Sequence, residues 1–181
     1  MELEEILYII GQCLGVVAIA LGFISFQLKT QGQLLIAQTA TATVFCLHYA
    51  LIGGYTAMAM NMVGIVRCIA FYFRNKKGSK SIFLPILFAV IMAAAGILTW
   101  EAWYSVFVFL GLVINSVCLS FSNPQNVRKS ILVTSPMVIV YNCFKHSYGG
   151  IVYETIAIIS SAIGIARNTK KQVGHAPDGD N

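Results

Sequence analysis

Apolar residues along this chain form seven long blocks separated by short polar segments. The blocks lie at about 6–27, 34–52, 55–73, 82–99, 105–121, 131–144 and 151–166. A helix that crosses a bilayer needs about 20 mostly apolar residues. Irregular backbone cannot face lipid, because its unpaired amide and carbonyl groups are costly there. The pattern therefore predicts an all-α integral membrane protein that crosses the bilayer seven times, with blocks six and seven the shortest spans.

The charged residues fit this prediction. They make up only 10% of the chain, against about 25% in soluble domains. With the N-terminus outside, a single basic residue, Lys145, falls in an outer segment. The inner segments hold Lys29, Arg74, Lys76, Lys77, Lys80, Arg128, Lys129, Arg167, Lys170 and Lys171. By the positive-inside rule the N-terminus is outside and the C-terminus cytoplasmic. Topology also explains the net charge of +5 better than nucleic-acid binding does.

The two ends of the chain differ in composition. Residues 1–5 are acidic and lack the basic region of a secretory signal, so we expect the first helix to be retained. The segment from Arg167 to the end is polar, and Gly, Pro and Asp are frequent near its end. We expect residues 1–171 to form one transmembrane domain and residues 172–181 a disordered cytoplasmic tail.

Motifs of catalysis and metal binding are absent from the sequence. The chain has no GxSxG, HExxH or Walker motif and no CxxC pair, which argues against an enzyme, a metal site or a cofactor. All five cysteines lie inside apolar blocks: Cys13, Cys46, Cys68, Cys118 and Cys143. We interpret them as small buried apolar residues.

Two stretches of the sequence resemble each other at a spacing of 93 residues. Arg74–Lys77 ends block three with the letters RNKK, and Arg167–Lys170 ends block seven with RNTK. At the same spacing Tyr55 matches Tyr148, and Thr41 matches Thr134. We infer an internal duplication with triplet one at about 6–73, a linker helix at about 82–99 and triplet two at about 105–166. A single linker helix gives both triplets the same orientation, which makes a parallel repeat.

This 3+1+3 layout resembles the SWEET/PQ-loop superfamily, which has a Pro-Gln pair near the inner end of the first helix of each triplet. Here Pro124-Gln125 follows block five, whereas Phe26-Gln27 stands at the matching place after block one and lacks the proline. The resemblance implies hinge-like roles for Gln27, Pro124 and Gln125.

The span from Gly11 to about Lys171 more closely resembles the YgjV-type bacterial inner-membrane proteins. The stretch Ser25–Lys29 and the pair His48-Tyr49 contribute to this similarity. Nicotinamide riboside transporters of the PnuC type resemble the same superfamily. These resemblances imply a multi-pass protein of the bacterial inner membrane with a SWEET-like fold.

Block two carries several polar side chains. Gln38, Thr41 and Ala42 share one helical face, which we predict to line a path along the bundle axis. For the threonines, including Thr39 and Thr43, hydrogen bonds to their own helix or to a neighbouring helix are the favoured alternative. His48 lies near the outer end of the block. We favour a hydrogen-bonded histidine at the interface over a substrate contact or proton relay.

Other polar side chains are candidates for a substrate site between the triplets. Asn61 matches Glu154 at the 93-residue spacing, and SWEET-like transporters place a facing polar pair on these helices. The alternative for Glu154 is contact with the outer headgroups. Arg67 is the single basic residue inside a span; it either reaches lipid phosphates or pairs with a group in the cavity. Further candidates are Asn115, Asn142, Tyr49, Tyr141 and Tyr153.

These features together favour a small-solute transporter or facilitator that works by alternating access. Its Asn, Gln, Thr and Tyr lining suits a neutral polar substrate such as a sugar, nucleoside or vitamin. The expected partners are membrane lipids and the solute, with no nucleic acid, and the sequence leaves homo-oligomerisation open. The alternative is a receptor, chaperone or complex subunit that does not transport, although the short loops offer little surface for recognition. An intramembrane enzyme is the least favoured class.

Overall fold

The described residues of the computed structural model, 3–28, 30–79, 81–119 and 124–173, form seven α-helices and no strand. The helices are α1 (Leu3–Gln27), α2 (Gln31–Leu51), α3 (Tyr55–Lys76), α4 (Phe83–Leu98), α5 (Ser105–Leu119), α6 (Pro124–Phe144) and α7 (Tyr148–Val173). The prediction of an all-helical chain with one helix for each apolar block is confirmed.

Four of these helices, α1, α2, α3 and α7, are long and apolar enough to cross a membrane. In α1 only 22% of the most apolar window is buried inside the protein. Large side chains such as Val16 and Phe23 point outward instead, with 64% and 59% of their surface exposed. Soluble proteins rarely expose apolar surface so continuously. The exposed apolar faces therefore suit lipid. Helices α4 and α5 are apolar but shorter, with 16 and 15 residues described as helical.

The predicted bounds of the last two blocks are wrong. Helix α6 begins at Pro124 rather than near residue 131, so residues 124–129 of the predicted loop are helical. Proline suits the first turn of a helix, where its missing N–H has no partner to lose. Helix α7 runs from Tyr148 to Val173, so the polar segment after Arg167 is helical at its start. The rest of the predicted tail, residues 174–181, lies outside the described residues.

The helices pack as a ring of six. Contacts join α1 to α2, α2 to α3, α3 to α5, α5 to α6, α6 to α7 and α7 back to α1. Helix α4 packs against α3 and α5. The backbones of α1 and α7 approach closely at two glycines: a Cβ placed on Gly149 would lie 2.5 Å from the Cα of Gly15. Backbones this close need glycine on both helices. A ring of this kind encloses a central space.

The five cysteines differ in burial. All are free thiols. Cys68 is buried, as predicted, whereas Cys13 and Cys143 are exposed. The prediction of burial is therefore wrong for these two, because each lies on an outward helix face where an apolar residue also suits a lipid-facing surface.

Candidate functional site

Two adjoining cavities lie between the helices of the ring, each with a volume of about 120 Å³. We call one the α6 cavity, since α6 supplies the largest share of its lining, and the other the α3 cavity, which reaches Asn61 and Arg67. Six residues line both cavities: Gln38, Leu112, Asn115, Val138, Tyr153 and Glu154. Helices α2, α5, α6 and α7 thus meet at the junction of the two cavities.

The polar face of α2 lies along the α3 cavity. Gln38, Thr41 and Ala42 all line it, as the helical period predicts. Thr39 and Thr43 donate hydrogen bonds to carbonyl oxygens of their own helix, at 2.8 and 2.9 Å. The hydroxyl oxygen of Thr41 is buried and has no hydrogen-bond partner among the described residues. Of the three threonines, Thr41 is therefore the one placed to contact a solute.

Arg67 lines the α3 cavity with only 5% of its surface exposed. Its guanidinium nitrogens lie 3.8 Å from the sulfur atoms of Met92 and Cys68. Its Nε has no hydrogen-bond partner among the described residues, and the ion pair found among them lies elsewhere. The side chain is enclosed by α3 and α4 instead of reaching the surface. This placement favours the cavity role over contact with lipid phosphates.

Asn61 and Glu154, the pair matched by the 93-residue spacing, both line the α3 cavity. The Asn61 amide donates to the carbonyl of Ala57 at 2.8 Å. Glu154 is partly buried and accepts a hydrogen bond from the Ser135 hydroxyl on α6. Asn115, on α5, accepts from a serine hydroxyl of α6 at 3.4 Å through its Oδ1. Together with the Gln38 amide of α2, these groups come from four helices, α2, α3, α5 and α7, and line the same cavity.

His48 lies near the end of the bundle that holds the α2–α3 turn. It is not among the residues that line the two cavities, although its ring contacts Phe45 and Tyr49, which line the α3 cavity. It is fully buried, with Nδ1 2.7 Å from the Gly11 carbonyl and Nε2 2.7 Å from the Ser147 hydroxyl. Because the carbonyl only accepts, Nδ1 carries the proton, and Nε2 of a neutral ring accepts from the serine. Asn142 lies in the same region and accepts from the Tyr49 hydroxyl at 2.7 Å.

An ion pair at this end joins Glu101 to Lys145. The carboxylate also accepts from the backbone N–H of Thr56 at 2.6 Å and from the Tyr141 hydroxyl at 3.2 Å. Lys145 donates to the carbonyl of Gly53 at 2.8 Å. Together with the His48–Ser147 and Tyr49–Asn142 bonds, these contacts form what we call the turn network.

Four residues of the turn network, His48, Tyr49, Tyr141 and Asn142, are candidates from the sequence, whereas Glu101 and Lys145 are not. The available signal was that Glu101 and Lys145 are an isolated acid and an isolated base, both in predicted outer segments. The network links the α2–α3 turn, the α4–α5 connection and the α6–α7 turn, and it closes this end of the ring.

A model of the Imp-YgjV family, described as bacterial inner membrane protein, matches residues 9–172 of the chain. The chain belongs to this family. No curated protein and no solved structure matches it. Membership in Imp-YgjV agrees with the four membrane-length helices, and it identifies the chain as a protein of the bacterial inner membrane.

In this Imp-YgjV protein the three residues predicted to act as hinges lie at helix ends. Gln27 is the last residue of α1, and Pro124 is the first residue of α6; the side chains of both lie outside the described ones. Gln125 follows in the first turn of α6 and is partly buried. The Pro-Gln pair therefore begins α6 instead of lying in a loop.

Within the described parts of this Imp-YgjV chain, no group of three or more His, Cys, Asp or Glu side chains is placed to hold a metal ion. The polar groups that line the two cavities include amides, hydroxyls, the guanidinium groups of Arg67 and Arg128 and the carboxyl group of Glu154. Such groups bind a solute through hydrogen bonds and charge.

Proposed function

We propose that this protein is a small-solute transporter or facilitator that alternates access between two three-helix bundles, α1–α3 and α5–α7. The observation that carries the proposal is the uneven distribution of polar contacts between the bundles. The turn network joins them at one end of the ring, and the central cavities lie beyond it. A carrier closed on one side has this arrangement, with a polar gate at one end and a polar site near the middle.

The helix packing supports the division into three, one and three helices. The contact of α1 with α7 has its counterpart in the contact of α5 with α3, as expected if a pseudo-two-fold axis relates the bundles. Tyr49 and Asn142 are separated by 93 residues and hydrogen-bond to each other. Matched residues meet in this way when they lie beside such an axis.

All seven helices cross the bilayer in this proposal, and the turn network lies at the outer end. The basic residues support this orientation, because ten of the eleven outside the spans fall in segments at the opposite end. The state described here is then closed toward the outside. The orientation is tested with a reporter protein that fluoresces only in the cytoplasm, fused after residue 181. We expect the fusion to fluoresce, whereas a periplasmic C-terminus would give no fluorescence.

The lining of the cavities suits a small polar solute without net charge. Amide and hydroxyl groups of Gln38, Thr41, Asn61 and Asn115 are available there. The cavities are small beside sites for drug-sized ligands, which occupy about 300–1,000 Å³. The partners are lipids and one small molecule.

Uptake into proteoliposomes tests the proposal directly, with a panel of radiolabelled small polar solutes. We expect at least one solute to be taken up, and Asn61→Ala and Glu154→Gln to slow its uptake at least about tenfold. The matched control is Thr155→Ala, because Thr155 is exposed beside Glu154 and hydrogen-bonds to its own helix. If both site variants take up the solute at the wild-type rate, the site is wrong. If no solute crosses, transport itself is refuted.

A further inference from the structure

Two opposite charges line the α3 cavity from different helix bundles. Arg67 comes from α3 and Glu154 from α7. The ion pair found among the described residues joins Lys145 to Glu101, so Arg67 and Glu154 do not pair with each other. The α3 cavity therefore presents one guanidinium and one carboxyl group that are not paired with each other.

The guanidinium of Arg67 is the group that most needs a compensating negative charge. An arginine stays protonated in proteins, and a buried charge is costly unless an opposite charge and hydrogen bonds compensate it. Here the guanidinium donates to two sulfur atoms at 3.8 Å, and Nε has no hydrogen-bond partner among the described residues. Among the described residues, Glu154 is the other side chain of the Asp, Glu, Lys and Arg types that lines the α3 cavity. An anionic group on the solute would supply the missing compensation.

Glu154 offers the complementary charge. The hydroxyl of Ser135 bonds to it, and a carboxylate can accept about four hydrogen bonds. Arg128 lines the neighbouring α6 cavity, but its guanidinium donates to the carbonyl of Gly164 at 3.3 Å. A cationic group on the solute would therefore meet little competition at Glu154.

We propose that the α3 cavity binds a small zwitterion of the amino-acid type, whose carboxylate pairs with Arg67 and whose ammonium group pairs with Glu154. The inference rests on the proposed function and deepens it by naming the substrate class. Such a solute has no net charge, but it is not a sugar or a nucleoside. The planar guanidinium matches a carboxylate through two parallel hydrogen bonds. Met92, Leu112 and Val138 line the same cavity and would contact the carbon chain.

Thermal shift of the purified full-length protein tests the proposal with ω-amino acids of increasing length. Glycine, β-alanine, γ-aminobutyrate and 5-aminovalerate vary the separation of the two charges. We expect at least one to raise the melting temperature by several degrees at millimolar concentration. Its carboxamide lacks the negative charge and its N-acetyl derivative lacks the positive charge, so each should need at least about tenfold more solute for the same shift.

Two variants connect the shift to the two charges. Arg67→Gln and Glu154→Gln should each abolish it, whereas Thr155→Ala should keep it. Without added solute, Arg67→Gln should be at least as stable as the wild type, because the uncompensated charge is gone. This comparison separates loss of binding from loss of folding.

The outcomes distinguish this inference from the proposed function. A neutral polyol or nucleoside that stabilises the protein and is taken up, while no zwitterion does either, would overturn the inference and keep the transporter. A zwitterion that binds through both charges but is not taken up would keep the inference and overturn transport. The inference would also be overturned if Arg67→Gln and Glu154→Gln both showed the same thermal shift as the wild type, or if no zwitterion shifted the melting temperature of the wild type.

Discussion

Lys145 offers the sharpest test of the turn network, because one side chain makes two of its contacts, one with the α4–α5 connection and one with the α2–α3 turn. The amine pairs with Glu101 and donates to the Gly53 carbonyl at 2.8 Å. Lys145→Met keeps most of the apolar stem and removes both contacts. If the network holds the outer end closed, the variant should populate an outward-open state more often than the wild type does.

The size of the effect follows from the burial of the pair. The side chains of Lys145 and Glu101 are only 16% and 15% exposed, so water and salt screen them less than a surface pair. Hydrogen bonds to a charged group contribute about 1.5–3 kcal/mol. Since about 1.4 kcal/mol is a factor of ten, the open fraction should rise about 10- to 100-fold.

Cys68 is a native reporter for this opening. It lines the α3 cavity with 1% of its surface exposed, beyond the turn network. With the other four cysteines replaced by alanine, a membrane-impermeant maleimide is added to intact cells and the labelling rate of Cys68 is measured. We expect Lys145→Met to raise that rate at least about tenfold.

The matched control is Lys76→Met, since Lys76 is an exposed lysine at the opposite end of α3. It should leave the labelling rate unchanged. Equal rates in the two variants would refute the reasoning, because closure would then not depend on the contacts of Lys145. A rise in both would indicate a general loosening of the bundle.

Two further predictions concern stability, measured as the melting temperature in detergent. Gly149→Ala should lower the melting temperature by several degrees, because the added Cβ meets the backbone of α1 at 2.5 Å and overpacking costs about 1–3 kcal/mol. The control Gly64→Ala should not lower it, because the added Cβ meets nothing within 4 Å. An unchanged melting temperature in Gly149→Ala would exclude the close α1–α7 contact. Tyr49→Phe should cost about 1–3 kcal/mol, because it leaves a buried amide oxygen of α6 without its donor. Tyr72→Phe, at a partly buried tyrosine, should change stability by less than about 0.5 kcal/mol, and equal effects would show that the Tyr49 hydrogen bond contributes nothing.

Hydropathy predicted the number and type of the helices because the bilayer imposes both on the chain. It failed at the start of α6, where Gln125, Asn126, Arg128 and Lys129 are helical despite their polarity. A polar first turn near a headgroup region is not distinguishable from a loop by hydrophobicity. The same limit applies to α7, whose helix continues past Arg167 through polar residues.

The candidate site was predictable where a single helix decides the geometry. The helical period alone placed Gln38, Thr41 and Ala42 on one face, and that face lines the α3 cavity. For Arg67, the choice between lipid and cavity depends on how α4 packs against α3, which no local pattern encodes. The turn network depends on three connections distant in sequence. Only the fold brings Glu101 and Lys145 together.

In the proposed transporter, the turn network and the two ionisable groups of the α3 cavity act on the same pair of bundles at different heights. Arg67 belongs to the first bundle and Glu154 to the second, so a zwitterion between them would hold the bundles together near the middle of the membrane. Lys145 and Glu101 join the second bundle to the α4–α5 connection and the α2–α3 turn at the end. With the solute as the central contact, the end contacts can break without separating the bundles. This division would let the outer end open while the substrate stays bound, as alternating access requires.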